Sequence, residues 1–146
     1  MHAIDLPVSL TDLPQPLYFF DGVCVLCSGF VQFYLARDRD GAMHFATTQS
    51  ALGQRTLQAL GLPADVFDRT VLLIEGNRVR FESDAALRAL ARLPVPWRWL
   101  GALRGLPAAL RDAAYRLVAR NRYRWFGQRP TCFVPDAAQR GRFVDL

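Results

Sequence analysis

The chain of 146 residues carries 18 basic and 13 acidic side chains, a net charge of +5, and every basic residue is Arg. With 51% hydrophobic residues it is too apolar for a disordered chain and long enough for a single domain with one core. No apolar run reaches the ~18 residues of a membrane span, and no secretory leader is visible, so we expect a cytoplasmic protein. Three cysteines are too few for a disulfide-stapled secreted scaffold.

Strand and helix patterns alternate through the first two thirds of the chain. In chain order they predict a buried strand at 17–20, a helix from 24 to about 38, a strand at 43–46, a helix at 50–60, a buried strand at 71–74 and a strand at 78–82. Gly76 and Asn77 predict a two-residue hairpin turn between the last two strands. Ser83 is the expected N-cap of a further helix that runs through Leu93 and is terminated by Pro94.

This order predicts a thioredoxin-like α/β fold, with a small mixed four-stranded sheet and helices on both faces. For residues 94–127 the sequence predicts a helical C-terminal extension, in which Pro107 starts a new helix. For residues 128–146 it predicts a tail. We expect one domain over 1–146, with its core at about 15–93.

Cys24 and Cys27 lie at the first junction between strand and helix. A helix N-terminus presents unpaired N–H groups and the positive end of the dipole, which lower the pKa of a thiol. The spacing lets Cys27 reach back to Cys24. We therefore predict that Cys24 attacks a substrate disulfide and Cys27 resolves the mixed disulfide, or the reverse reaction, on a protein or low-molecular-weight thiol without a cofactor.

Asp21 precedes Cys24 by three positions and has two candidate roles. It could accept a proton from Cys27 during resolution, or fix the turn through hydrogen bonds to backbone N–H groups. Gly22 most simply supplies backbone freedom. We keep both roles of Asp21 open.

Further candidate residues follow from the predicted topology. If only the third strand runs against the others, its start shares one sheet edge with the carboxyl ends of the other three, and binding sites commonly form at such an edge. For Ser83 and Asp84 we favour helix capping over a direct role. The substrate-binding candidates are Gly22, Thr48, Gln49, Arg69, Thr70, Ser83 and Asp84.

Zinc binding is an alternative for the cysteines. The available set is Cys24, Cys27 and Cys132 with His44 or His2. Because the chain has no second C-x-x-C, we predict no metal site, and we expect Cys132 to be a small buried apolar residue.

The extension is strongly basic, with nine Arg and one acid, Asp112, between residues 92 and 129. A helix there could bind an anionic membrane surface. We favour packing of its apolar face on the core, with Arg122 on the flank. The alternative function is a non-catalytic binding module whose extension contacts a membrane or a partner protein, with structural or metal-bound cysteines; no nucleic-acid module is recognisable. The predicted apolar face consists of Leu110, Ala114, Leu117, Val118, Asn121 and Trp125.

The segment Asp21-Gly22-Val23-Cys24-Val25-Leu26-Cys27 resembles the D-G-x-C-x-x-C signature of the DCC family, small bacterial proteins described as thiol–disulfide oxidoreductases. The resemblance implies a thioredoxin-like fold, a redox role for the cysteines and Asp21 as the third site residue. It covers nearly the whole chain and continues through Arg37-Asp38, Ser83-Asp84-Ala85, Tyr115, residues 119–123, Phe126-Gly127 and Cys132.

Overall fold

Five short strands form one mixed sheet in the computed structural model, which describes residues 3–39, 41–68, 70–131 and 133–144. The strands are β1 (Ile4–Asp5), β2 (Leu17–Phe20), β3 (His44–Thr47), β4 (Leu72–Glu75) and β5 (Arg78–Phe81). Their spatial order is β1-β5-β4-β2-β3. β2 and β3 are parallel, and every other neighbouring pair is antiparallel.

The thioredoxin-like α/β prediction is confirmed, and so are the strand directions. The carboxyl ends of β2, β3 and β5 meet the start of β4 at one edge, as the registers of Phe20 with Thr47 and of Leu72 with Phe81 show. The sheet has a fifth strand that the sequence did not indicate. β1 has only two residues, too few for a periodic signal.

Helices cover both faces of the sheet. The helices are α1 (Val25–Arg37), α2 (Ala51–Leu60), α3 (Glu82–Leu90) and α4 (Ala108–Phe126), with 3-10 turns at Val8–Leu10, Ala64–Asp68, Trp97–Gly105 and Ala137–Arg142. Tyr34 of α1 and Ala89 of α3 pack with Tyr18 on one face, whereas Leu57 of α2 packs with Phe19 on the other. A sheet buried on both sides explains the continuously apolar strands.

The start of α3 differs from the prediction. Ser83 does not cap the helix, because α3 already begins at Glu82. The N-cap is Phe81, two residues earlier than predicted, and the backbone N–H of Glu82 donates to Oγ1 of Thr70 at 2.7 Å. The hydroxyl of Ser83 donates instead to the carboxylate of Asp112 on α4.

The predicted orientation of α4 is wrong. The helix packs on α1 and α3, but through the face that carries Tyr115, Ala119 and Arg122. Tyr115 accepts a hydrogen bond from the N–H of Val71 at 3.0 Å, and Arg122 is buried in an ion pair described below. These polar anchors fix the rotation of the helix. The predicted apolar face is left largely exposed, between 38% and 60% for Leu110, Leu117, Val118 and Trp125.

Within the described ranges, no helix has the length and apolar character needed to cross a bilayer.

Candidate active site

Cys24 and Cys27 lie where β2 passes into α1. Cys24 is the N-cap of α1 in extended backbone, and its sulfur accepts a hydrogen bond from the backbone N–H of Cys27 at 3.4 Å. Both cysteines are free thiols. Their surroundings differ, since Cys24 is fully buried and Cys27 is partly exposed.

The pKa values of the two thiols are shifted in opposite directions. The hydrogen bond from the Cys27 side chain lowers the pKa of the Cys24 thiol to about 6, against the opposing effect of burial. The backbone N–H of Cys27 and the charge of Arg122 lower it further in the same direction. The same sulfur–sulfur hydrogen bond, together with burial, raises the pKa of Cys27. Cys24 is therefore the thiolate of the reduced pair at neutral pH.

Asp21 joins three parts of the fold at this junction. Its Oδ1 accepts hydrogen bonds from the N–H of Val23 at 3.0 Å and from Nε2 of Gln49 at 2.6 Å. Its Oδ2 accepts the hydroxyl proton of Tyr123 and lies 3.2 Å from Nη2 of Arg122. The carboxylate thus fixes the turn before α1 and connects it to the start of α2 and to α4. These contacts support the turn-fixing role of Asp21.

Arg122 was not among the predicted site residues. Its Nη1 lies 3.3 Å from the sulfur of Cys27, while Nη2 pairs with Asp21 and lies 3.5 Å from the carbonyl oxygen of Phe67. The side chain is buried, although the sequence placed it on the flank of a solvated helix. The one signal for it was the family resemblance over residues 119–123. The extension therefore completes the site.

Residues 127–129, the C-terminal strap, lie across the start of α1. The N–H of Val25 donates to the carbonyl of Gly127 at 3.2 Å, and the N–H of Arg129 donates to the carbonyl of Val23 at 2.6 Å. Cys24 and Gln128 form the β-bridge between these two hydrogen bonds. The strap covers the backbone of Cys24 and contributes to its burial.

Three other predicted residues lie near the cysteine pair, two in the Asp21 network and one in the cavity beside Cys27. The N–H of Gly22 donates to Oε1 of Gln49 at 3.0 Å, which brings both residues into the Asp21 network. Thr70 lines the same cavity as Cys27. Gly22, Gln49 and Thr70 thus lie at the sheet edge formed by the ends of β2 and β3 and the start of β4.

The remaining predicted residues have other partners. Thr48 is buried, and its N–H continues the pairing of β3 with β2. Ser83 contacts α4, as described above. Asp84 forms ion pairs with Arg80 at 3.1 Å and Arg88 at 3.2 Å, so the structure does not bring its carboxylate into the cysteine network. Arg69 lies outside the described residues.

The zinc set considered from the sequence is not assembled by the described residues. His44 begins β3 opposite Leu17, at the far end of β2 from Cys24. His2 and Cys132 lie outside the described ranges, which contain no cluster of three or more His, Cys, Asp or Glu suited to a metal ion.

Comparison with known proteins identifies the family of the chain. The model of the family described as DCC1-like thiol-disulfide oxidoreductase matches residues 18–128. The chain is 41% identical over 132 residues to the uncharacterized protein YuxK of Bacillus subtilis (strain 168), covering 90% of this chain and 96% of that protein. It is 35% identical over 119 residues to a chloroplastic DCC family protein of Arabidopsis thaliana, covering 81% and 69%. No solved structure shows a significant match. The chain therefore belongs to the DCC1-like thiol–disulfide oxidoreductase family.

Proposed function

We propose that this protein catalyses thiol–disulfide exchange through a redox pair formed by Cys24 and Cys27. The observation that carries the proposal is the sulfur of Cys24 at the N-cap of α1, where the Cys27 N–H is 3.4 Å away. That position and the hydrogen bond from the Cys27 thiol stabilise a thiolate, and thiolate is the reactive form of cysteine. Membership of the family supports the same reaction.

The exchange needs only the pair and its substrate. In the reducing direction, one protein thiolate attacks a substrate disulfide and expels one substrate thiolate. The other protein thiol loses its proton to solvent, attacks the mixed disulfide and expels the second substrate thiolate. Two electrons pass to the substrate, and a Cys24–Cys27 disulfide remains. The reverse reaction oxidises two substrate thiols.

We expect the substrate to be a protein or a low-molecular-weight thiol or disulfide. We also propose that the reaction takes place in the cytosol. Three cysteines in 146 residues support this location, because cytosolic disulfides are usually transient and catalytic rather than structural.

A redox titration in glutathione buffers, followed by thiol alkylation and mass measurement, tests the pair. We expect a reversible two-electron transition that disappears in both Cys24→Ser and Cys27→Ser. Cys132→Ser is the matched control, because it removes the cysteine outside the pair, and it should retain the transition. A wild-type pair that stays reduced throughout, or that purifies with stoichiometric zinc, would refute the oxidoreductase proposal.

The exposed residues of the extension favour a second candidate, binding to an anionic membrane surface. Leu110, Leu117 and Trp125 of α4 form what we call the exposed α4 face, and Trp99 upstream is 69% exposed. Arg120 and Arg124 of α4 are exposed, so a surface of negative charge is the complementary partner. Interfacial tryptophans beside basic side chains are typical of helices that lie on bilayers.

Co-sedimentation with vesicles separates this candidate from the redox function. Binding to anionic vesicles should exceed binding to neutral vesicles, fall at high salt and survive loss of Cys24 and Cys27. Leu117→Asp should weaken it. Val134→Asp is the control, because Val134 is 67% exposed outside the extension. Equal binding by both variants would reject the exposed α4 face as the contact.

A further inference from the structure

A largely apolar cavity of about 180 Å³ lies beside Cys27, between α1, α3 and α4. Cavities of ~150 Å³ with apolar walls hold a benzene molecule, so this one has room for a single aromatic ring. Because Val118 and Cys27 both line it and both reach solvent, the cavity opens to the surface. Its walls include Tyr18, Leu26, Phe30, Tyr115 and Ala119.

The two sulfurs differ in how a substrate can reach them. The residue Cys24 has 0% exposure beneath the C-terminal strap, and it does not line the cavity. Cys27 lines the cavity and is partly exposed. A substrate sulfur that enters through the cavity therefore meets Cys27 before Cys24. The group attached to that substrate sulfur then lies among the apolar side chains of the cavity.

We propose that Cys27 is the sulfur that bonds the substrate, and that the cavity holds an aromatic group next to the substrate sulfur. The proposal rests on the redox function proposed above and names the substrate class of that site: thiols and disulfides that carry an aromatic neighbour. It exchanges the roles predicted from the sequence, in which Cys24 attacks first.

The chemistry balances in the oxidising direction. A substrate thiolate attacks the sulfur of Cys27 in the Cys24–Cys27 disulfide, the bond between the two protein sulfurs breaks, and Cys24 leaves as a thiolate. A second substrate thiolate then attacks the substrate sulfur of the mixed disulfide, and Cys27 leaves and takes a proton from solvent. Two substrate thiols lose two electrons to the protein disulfide. The backbone N–H of Cys27 and the charge of Arg122 lower the pKa of Cys24 without needing the Cys27 thiol proton, so both favour Cys24 as the leaving group in this step.

Single-cysteine labelling tests which sulfur reacts and what the cavity accepts. Cys24→Ser and Cys27→Ser, each combined with Cys132→Ser, are treated with benzyl and hydroxyethyl methanethiosulfonate. The labelling rate of the protein with each reagent is divided by the rate at which glutathione reacts with the same reagent, which removes the intrinsic reactivity of the reagent. At Cys27 we expect the benzyl reagent to be preferred by about tenfold or more, the gain from burying one ring. At Cys24 we expect slower labelling without that preference.

Cavity-filling variants supply the control. Ala119→Phe should fill the cavity, so that Cys27 prefers the benzyl reagent over the hydroxyethyl reagent no more than glutathione does. Ala86→Met, on the opposite wall, repeats the test if the first variant folds poorly. Ala114→Phe lies on the exposed side of the same helix and should keep the preference. Faster labelling of Cys24 than of Cys27, or a preference that survives both filled cavities, would overturn the proposal.

The outcomes also separate this proposal from the redox function. A normal redox transition without a benzyl preference at Cys27 would overturn the cavity proposal alone. A benzyl preference without a redox transition would refute the proposed function and support the cavity as an aromatic binding site.

Discussion

Replacing Arg122 by Met removes the guanidinium between Asp21 and Cys27 and keeps an unbranched apolar side chain. The ion pair with Asp21 spans 3.2 Å, and the two side chains are only 7% and 4% exposed. Loss of one partner of a buried ion pair costs about 3–5 kcal/mol. Because Val23 and Gln49 still donate to the carboxylate, we expect the lower end of that range, about 3 kcal/mol.

A second consequence concerns the thiols. The positive charge of Arg122 lowers the pKa of Cys24, so the pKa should rise in Arg122→Met. Adding Asp21→Asn removes the uncompensated charge, and we expect the double variant to lose less stability than the two single losses added together.

Denaturation of the reduced protein in urea and a pH titration of thiolate absorbance measure the two effects. Arg120→Met is the control, because Arg120 is exposed on the same helix and its replacement should change stability by less than ~0.5 kcal/mol. If Arg122→Met loses less than ~1 kcal/mol and titrates like the wild type, the buried ion pair does not organise the site and the reasoning fails.

Other predictions test the pair and its surroundings. The free energy of unfolding of the reduced protein, relative to that of Cys24→Ser, should rise between about pH 6 and pH 9, because there the folded state holds a thiolate and the unfolded chain a protonated thiol. Below about pH 6 both states are protonated and the advantage is lost. A difference between the two proteins that stays constant with pH in denaturation experiments would contradict the lowered pKa. Gly53→Ala should cost ~1–3 kcal/mol in thermal denaturation, because its Cβ would lie 2.7 Å from a backbone carbonyl oxygen. Gly29→Ala has open space in α1 and should gain ~0.5–1 kcal/mol, so equal shifts for the two would refute this packing. Thr70→Val removes the hydroxyl that accepts from the N–H of Glu82 and should cost ~1–3 kcal/mol; an unchanged Tm would show that this hydrogen bond is dispensable.

The strands and helices whose ends are decided by residues close together in the sequence were predictable from the sequence. The continuously apolar run Leu17–Phe20 predicted a buried strand, and the C-x-x-C after it predicted a thiol at a helix N-terminus. Ser50 before α2 and Gly61 after it marked both ends of that helix, since a cap is decided by the side chain and backbone at the end itself. The direction of each strand followed from the thioredoxin-like arrangement that the order of the elements predicted.

The site required contacts between residues far apart in the chain. Arg122 reaches Asp21 across 101 positions, and no local pattern distinguishes it from the exposed Arg120 two residues earlier. The burial of Cys24 by the C-terminal strap is equally non-local. Sequence periodicity showed that α4 has an apolar face, but the rotation of the helix was decided by its buried ion pair. A charge taken out of water must find its partner, and that requirement left the apolar face of α4 exposed.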